Sequence, residues 1–425
     1  MLLFLIFSCF TCMLVYKCLT DYFQYEVVSK IQVVKVDQLT FPAVTICDSS
    51  PFTTKQAEAY IQNELYQNKS SDFTYILQYS KFLAAALNDS FKKSLGLNLK
   101  NSLVYCSFSL KACEYNKDFT WFYSEQNGNC FQFNSAAMKL TKFKGENHGF
   151  ALMLNSSINQ NRKYSLTYIK GLKVFIEDQS YEPLTMDNSV LVEAGKQTNI
   201  VIKKTVSLNQ PKPYSNCDEV ILDENQSELI EIIKKSEKKY LQNNCFIFCF
   251  QKMIIEKCDC HFGGMPVLLK NTKPCSNLSQ FECYNNVSDI YVNRIQEFTK
   301  ICSQDCPLEC ETISFEVQLS STALSLKLQF EALINDEESM KKLAALYNES
   351  LTYELYKDSF VFLKIFYPSM EYTEIIQSPK TTIIELISNM GGALGIFLGF
   401  SIFSLVEVIE LALQSFQIFL AKIKN

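Results

Sequence analysis

The chain has 425 residues, 48% of them hydrophobic, and a formal charge of −5. That hydrophobic content excludes disorder as its main character, the length admits more than one domain, and the slight acidity argues against a nucleic-acid binder. The charge is too small to indicate any other partner.

The first element in chain order is an apolar stretch, Met1 to Leu19, with a single charge at Lys17. As a helix rising 1.5 Å per residue it reaches about 28 Å, close to the hydrocarbon thickness of a bilayer. It lacks the basic start and small-residue cleavage site of a signal peptide, so it reads as a true span. The following FQYEVVSKIQVVKVDQLTFPAVTIC alternates apolar and polar residues and predicts strand. Thr53 to Leu99 predicts helix, with Ala57, Tyr60, Ile61 and Leu65 on one face, and projects as a helical subdomain. Strands return in YSLTYIKGLKVFIED and SVLVEAGKQTNIVIKKTVSL, the second broken by a turn near Ala194-Gly195. Glu228 to Tyr240 predicts an amphipathic helix that leads into the cysteine-dense stretch Cys245 to Cys310. TISFEVQLSS is a further strand, helices follow between Ala323 and Tyr347, and Phe360 to Ile375 predicts one last strand. Strands next to both apolar stretches place a sheet on the membrane side, with helices further out.

The second apolar stretch runs from about Thr381 to Leu420, and its segment NMGGALGIFLGFSIFSLVEVIE mixes glycines, serines and carboxylates. Polar groups in hydrocarbon cost free energy without a partner, so this helix borders water. Asn389, Gly392, Gly395 and Gly399 recur at helical spacing and form one face, suited to close backbone packing or to an ion. Ser401 lies about 200° round from Gly399, so an unbroken helix cannot turn both toward one axis. A short extended step at Gly399-Phe400-Ser401 removes the conflict, and its free carbonyls can replace part of an ion's hydration shell. A plain small-residue packing face is the alternative.

Two spans put both termini on one side, and Lys422 and Lys424 favour the cytoplasm. Three of the 17 cysteines, Cys9, Cys12 and Cys18, fall in the first span; the 14 from Cys47 to Cys310 read as seven disulfides of an extracellular region. N-x-S sequons at Asn68, Asn88, Asn155, Asn225, Asn277, Asn286 and Asn348 share that region and predict glycosylation. With only His148 and His261 in the chain, a zinc site is disfavoured.

FPAVTIC (Phe41 to Cys47), GNCFQFN (Gly128 to Asn134) and PYSNC (Pro213 to Cys217) precede the series Cys245-x3-Cys249, Cys258-x-Cys260 and Cys302-x3-Cys306-Pro-x2-Cys310, and Gly399-Phe400-Ser401 follows. In this order and between two spans, these motifs make the chain resemble the degenerin, epithelial sodium channel and acid-sensing ion channel superfamily over nearly its whole length. The G-F-S tripeptide is similar to that of invertebrate pickpocket-type members.

The resemblance implies an α+β membrane protein in which two transmembrane helices flank a large disulfide-rich extracellular domain, a β-sheet palm and β-ball with helical finger, thumb and knuckle. Its segments are a first helix at 1–20; an extracellular domain at 21–380 with finger-like helices at 53–125, a stapled thumb at 217–310 and knuckle-like helices at 323–350; a second helix with the pore at 381–413; and a cytoplasmic tail at 414–425. It implies the pairs Cys47–Cys130, Cys106–Cys113, Cys217–Cys310, Cys245–Cys306, Cys249–Cys302, Cys258–Cys283 and Cys260–Cys275. It also implies a homo- or heterotrimer with related subunits in the plasma membrane. Such a trimer is amiloride-sensitive and Na+-selective, has no cofactor and no enzymatic activity, and is opened by an unidentified extracellular ligand or by force.

By the same resemblance Gly399, Phe400 and Ser401 form the selectivity filter, with the large Phe400 side chain turned into the protein while carbonyls coordinate. Ser388 matches the position where bulky substitutions hold degenerins open, and Asn389 stands where acid-sensing members carry aspartate. Gly392 and Gly395 line the pore, and three copies of Glu407 and Glu410 form carboxylate rings that attract cations. Tyr25 and Tyr214 occupy the aromatic contact that couples thumb to first span, Tyr214 replacing the tryptophan of some members. Glu26 and Val27 replace the histidine pair of acid-sensing members, which disfavours simple acid gating. Family members carry a cytoplasmic segment with a His-Gly motif before the first span, so this chain reads as N-terminally truncated; His148-Gly149 is ectodomain sequence and not that motif.

A non-conducting disulfide-rich surface receptor or adhesion protein is the competing function. The ATP-gated two-span trimers have a different cysteine pattern, and no H-E-x-x-H or G-x-x-x-x-G-K-[ST] marks an enzyme.

Overall fold

The computed structural model describes residues 2–68, 73–135, 138–155, 171–181, 183–184, 188–218, 228–235, 238–265, 272–335, 352–399 and 401–424. Backbone contacts divide the chain into two units, one of Met1–Ile31, Leu208–Glu219 and Ile375–Asn425, the other of Gln32–Ser207 and Val220–Glu374.

The larger unit is built on two sheets. Five antiparallel strands run in the order Ser189–Val192, Leu172–Glu177, Ala43–Asp48, Gly128–Phe133 and Phe119–Ser124. Ala43–Asp48 and Gly128–Phe133 are buried along their whole length. This explains why neither can alternate apolar with exposed polar residues, as a strand with one wet face does. In the second sheet Lys196–Leu208 pairs in parallel with Phe360–Phe366, followed by antiparallel Phe150–Asn155, Leu103–Phe108 and Lys111–Ala112. The inner faces of both sheets share one core that includes Phe41, Ile46, Phe133, Phe150, Ile200 and Leu363. Phe133 and Phe150 stack with centroids 4.2 Å apart, and each fully buried ring is worth roughly 1.5–3 kcal/mol.

A second core is helical. Lys55–Asn68, Phe73–Ala86 and Asp89–Leu95 pack with Gln242–Cys258, Leu278–Val292 and Ile295–Cys302. At its centre Phe82 meets Phe262, Phe281 and Tyr284 at 5.9, 5.1 and 5.2 Å.

Bridges Cys47–Cys130, Cys106–Cys113, Cys245–Cys306, Cys249–Cys302, Cys258–Cys283 and Cys260–Cys275 staple this unit. Cys217 and Cys310 are also disulfide-bonded. Cys47 and Cys130 stand directly opposite each other on neighbouring strands. The 53 and 61 residues separating the ends of the Cys249 and Cys245 bridges are long loops to close, and each such closure contributes about 2–4 kcal/mol by restricting the unfolded chain.

Four expected elements differ. The helix predicted for Glu228 to Tyr240 is Glu228–Lys235, and Lys238 to Leu241 are not helical. The single strand predicted for Phe360 to Ile375 is two, Phe360–Phe366 and Glu371–Pro379. The break falls around Pro368, which has no N–H for a ladder. The helical reading of 53–125 holds through Ser102; Leu103–Phe108 and Phe119–Ser124 are strands, drawn out by pairing with Phe150–Asn155 and Gly128–Phe133. The strand predicted after Phe23 is three, Val27–Lys35, Leu39–Thr40 and Ala43–Asp48. Of the helices expected between Ala323 and Tyr347, Lys327–Ile334 is described and 336–351 lie outside the described residues.

Candidate functional site

The smaller unit contains the apolar helices. Leu2–Phe23 includes one segment, Leu5–Phe23, long and apolar enough to cross a membrane. Such a helix joined to a disulfide-rich domain is the make-up of a membrane protein with an extracellular portion. The second apolar stretch is not one helix. Ile383–Leu398 has 16 residues, about 24 Å of helix, less than the ~30 Å of a hydrocarbon core. Gly399 then takes a left-handed conformation at φ 67, and a new helix, Ile402–Lys424, begins. Gly399 itself is left-handed and not extended as expected, at a φ that glycine adopts without a Cβ penalty. Phe400 lies outside the described residues.

Ile383–Leu398 packs against Leu2–Phe23. Phe397 stacks on Phe7 at 6.1 Å and meets Phe10 edge-on at 5.1 Å. Leu386, Met390, Ala393, Leu394 and Phe397 form the covered stripe, spaced three or four residues apart as one helix face requires. Ser388, Asn389, Gly392, Gly395 and Gly399 are all exposed; Ser388, Gly392 and Gly395 lie on the side opposite the stripe and Asn389 on its flank. A methyl group added at Gly392 or Gly399 would meet nothing within 4 Å. Among the described residues nothing packs over Gly392 or Gly399.

Both helical pieces are capped by their own sequence. Thr382 Oγ1 accepts from Glu385 N–H at 3.2 Å while Glu385 Oε2 accepts from Thr382 N–H at 2.8 Å, a capping box. Ser401 does the same for the next helix: its Oγ accepts from Ser404 N–H at 3.3 Å, and Ser404 Oγ accepts from Ser401 N–H at 3.4 Å. The Ser401 hydroxyl is therefore engaged in holding a helix start. The T-x-x-E and S-x-x-S spacings of Thr382 and Ser401 are the local sequence signal for these two caps. Glu407 and Glu410 are exposed on this helix three residues apart, on one side of it, and Glu410 accepts from Gln414 Nε2 at 3.4 Å.

At the other end of Leu2–Phe23, Tyr25 adopts φ 51, and its ring meets that of Tyr214 edge to face at 5.5 Å. Tyr214 sits in the short segment 208–219, which Gln210 ties down by donating from Nε2 to the Gln377 carbonyl at 2.8 Å. Beside it, Lys380 N–H donates to the Glu26 carbonyl at 2.8 Å and the two side chains pair at 2.5 Å. The hydrogen bond to the Glu26 carboxylate raises the pKa of Lys380. Sequence reasoning noted Glu26 for a missing histidine and missed this pair, because 354 residues separate the partners.

Among the sequons, Asn88 and Asn277 are exposed helix caps, accepting from Phe91 N–H and Gln280 N–H, and Asn286 is exposed on its helix. Asn155 departs from the glycosylation reading: it is a strand residue opposite Phe360, only 9% exposed, and a glycan needs an amide open to solvent. Asn225, Asn348 and the side chain of Asn68 lie outside the described residues. Among the described residues no group of three or more His, Cys, Asp or Glu side chains could hold a metal ion.

The amiloride-sensitive sodium channel family matches residues 1–411. The chain is 24% identical over 387 residues to the degenerin-like protein unc-105 of Caenorhabditis elegans, covering 88% of this chain and 41% of that protein. It is 28% identical over 342 residues to the epithelial sodium channel subunit gamma-2 of Xenopus laevis, covering 79% and 49%. It is 25% identical over 426 residues to the human bile acid-sensitive ion channel, covering 95% and 78%. The chain spans about half the length of the first two relatives. With a family match across nearly its whole length, the chain belongs to the amiloride-sensitive sodium channel family.

Proposed function

We propose that this chain is one subunit of a trimeric, Na+-selective, amiloride-sensitive channel of the plasma membrane. In this reading Leu2–Phe23 and the segment from Ile383 onward both cross the bilayer, and Gly399-Phe400-Ser401 is the filter. The observation that carries the reading is the interruption of the apolar helix between Leu398 and Ile402. Backbone opened within a membrane persists only where protein buries it or where it lines a water-filled cavity. The bare face of Ser388, Asn389, Gly392 and Gly395 supports the same reading, since two helices cannot enclose an aqueous path and further copies must supply the walls. Glu407 and Glu410, repeated round the axis, would draw cations toward the filter. That two relatives are a sodium channel subunit and an ion channel by name adds support.

The competing reading, a surface receptor that conducts nothing, has no use for a helix broken at this depth. The test is to record cation currents from the expressed chain with and without amiloride, adding Ser388→Val to force opening if the wild type is silent. Sodium current that amiloride blocks, with selectivity altered by Ser401→Ala or Gly399→Ala, supports the channel. Silence of the surface-expressed Ser388→Val variant would favour the receptor.

A further inference from the structure

In the larger unit a cavity of 560 Å3 opens between the helix Asp89–Leu95, the strand Phe119–Ser124, Leu184 and Met265. That volume lies within the ~300–1,000 Å3 typical of small-molecule sites. Its walls include the faces or edges of Trp121, Phe122 and Tyr123. Lys92, in the same wall, is only 9% exposed. Among the described residues its ammonium makes no hydrogen bond: the Asp89 carboxylate is 3.8 Å away and the centre of the Tyr123 ring 5.5 Å. Asp89 itself is largely in solvent, its side chain 69% exposed. An ammonium taken out of water without a hydrogen-bond acceptor is costly, and among the described residues only the solvent-exposed Asp89 carboxylate offsets that cost, from 3.8 Å. Burial lowers its pKa, in the direction expected of that cost.

The remaining charges agree in sign. Lys238 lines the cavity and donates to the Gln179 carbonyl at 2.9 Å. Lys93 stands 4.3 Å from the centre of the Trp121 ring. Among the described residues the cavity wall sets one carboxylate, that of Asp89, against the Lys92 and Lys238 ammonium groups. We propose that this cavity binds a small organic anion with an apolar body, whose anionic group accepts from Lys92 Nζ and whose body lies against Trp121, Phe122 and Leu184. A cationic ligand would meet the Lys92 ammonium, whose one carboxylate neighbour, Asp89, is 3.8 Å away and largely in solvent, and a neutral apolar one would leave that ammonium without a hydrogen bond. The site stands independently of ion conduction.

Trp121 is the only tryptophan of the chain, so its emission reports the cavity directly. The full chain in detergent is titrated with octanoate, and with octanol and octylammonium as equal-length bodies carrying other heads. Octanoate is expected to change Trp121 emission saturably, at concentrations about 10-fold or more below either control, the order set by one hydrogen bond to a charged group. Lys92→Gln is expected to raise the half-saturating concentration by about the same factor, and Lys92→Arg to restore it. An equal response to all three heads, no saturable response, or a Lys92→Gln protein that binds like wild type overturns the proposal. The comparison of heads uses unaltered protein and stands whether or not the variants fold.

Discussion

The rings of Tyr25 and Tyr214 meet edge to face, their centroids 5.5 Å apart and their planes at 87°. Tyr25 continues the chain from Leu2–Phe23, and Tyr214 lies in a segment fastened to Gln377. The contact therefore joins the exit of the first apolar helix to the approach of the second. Such pairs contribute about 0.5–1.5 kcal/mol beyond their burial. In a double-mutant cycle, Tyr25→Leu and Tyr214→Leu are each expected to shift the opening midpoint by about that much, and the double variant by little more than either. Strictly additive shifts would separate this contact from gating.

The Ser401–Ser404 cap ties the proposed filter to the helix that follows it. Ser404→Ala removes one hydroxyl of the reciprocal pair, a loss of about 0.5–2 kcal/mol at a helix start. Its expected signature is a reduced Na+ over K+ permeability ratio in reversal-potential recordings, recovered in Ser404→Thr. An unchanged ratio in Ser404→Ala would show that the cap does not position the filter.

Lys139 Nζ lies 2.6 Å from Asp118 Oδ1, the two side chains 24% and 11% exposed. Burial alone would raise the Asp118 pKa, but the hydrogen bonds from Lys139 and from Glu114 N–H outweigh it, and the net shift is downward. The stabilisation is thus present above the unfolded carboxylate value of about 3.9 and is lost as pH falls below it through the folded value. Asp118→Asn is expected to lower stability at neutral pH by about 1.5–3 kcal/mol. The difference from wild type should close as both are unfolded thermally at pH values approaching about 2. A gap that stays constant with pH would exclude ionisation as its source.

Gly149 has a purely steric role. A methyl group there would stand 2.1 Å from the Ile365 carbonyl oxygen, in backbone that cannot swing aside. Gly149→Ala is expected to cost about 1–3 kcal/mol and to lower the thermal midpoint. Gly391→Ala, whose methyl meets nothing within 4 Å, is the control; in a helix it should be neutral or stabilising by up to about 1 kcal/mol. Equal midpoints for the two variants would contradict the close approach.

Elements whose signal is local were legible. Thr53 to Leu99 and Glu228 to Lys235 declare helices through apolar spacing, and a break at Gly399 was one of two readings its glycines allowed, the other being an unbroken packing face. Phe360 to Ile375 read as one strand because its alternation continues through Pro368; only its two sets of neighbours show that the chain turns there. Leu103–Phe108 and Phe119–Ser124 were absorbed into a helical region because a short strand between helices is defined by its partners more than by its own residues. Lys92 gave no sign at all: on the seven-residue helix Asp89–Leu95 a lysine looks like any solvated side chain.

The order of residues alone determined the apolar stretches, the even cysteine set from Cys47 to Cys310 and the glycine-rich composition that permits a break near Gly399. Those depend on composition, count and spacing along a continuous stretch of chain. Tertiary structure alone decided that Tyr25 meets Tyr214, that Lys380 meets Glu26, and that Lys92 is largely buried near the Tyr123 ring. Each of those facts depends on groups tens to hundreds of residues apart being brought together, and desolvation belongs to the assembled surroundings of a side chain rather than to its place in the sequence.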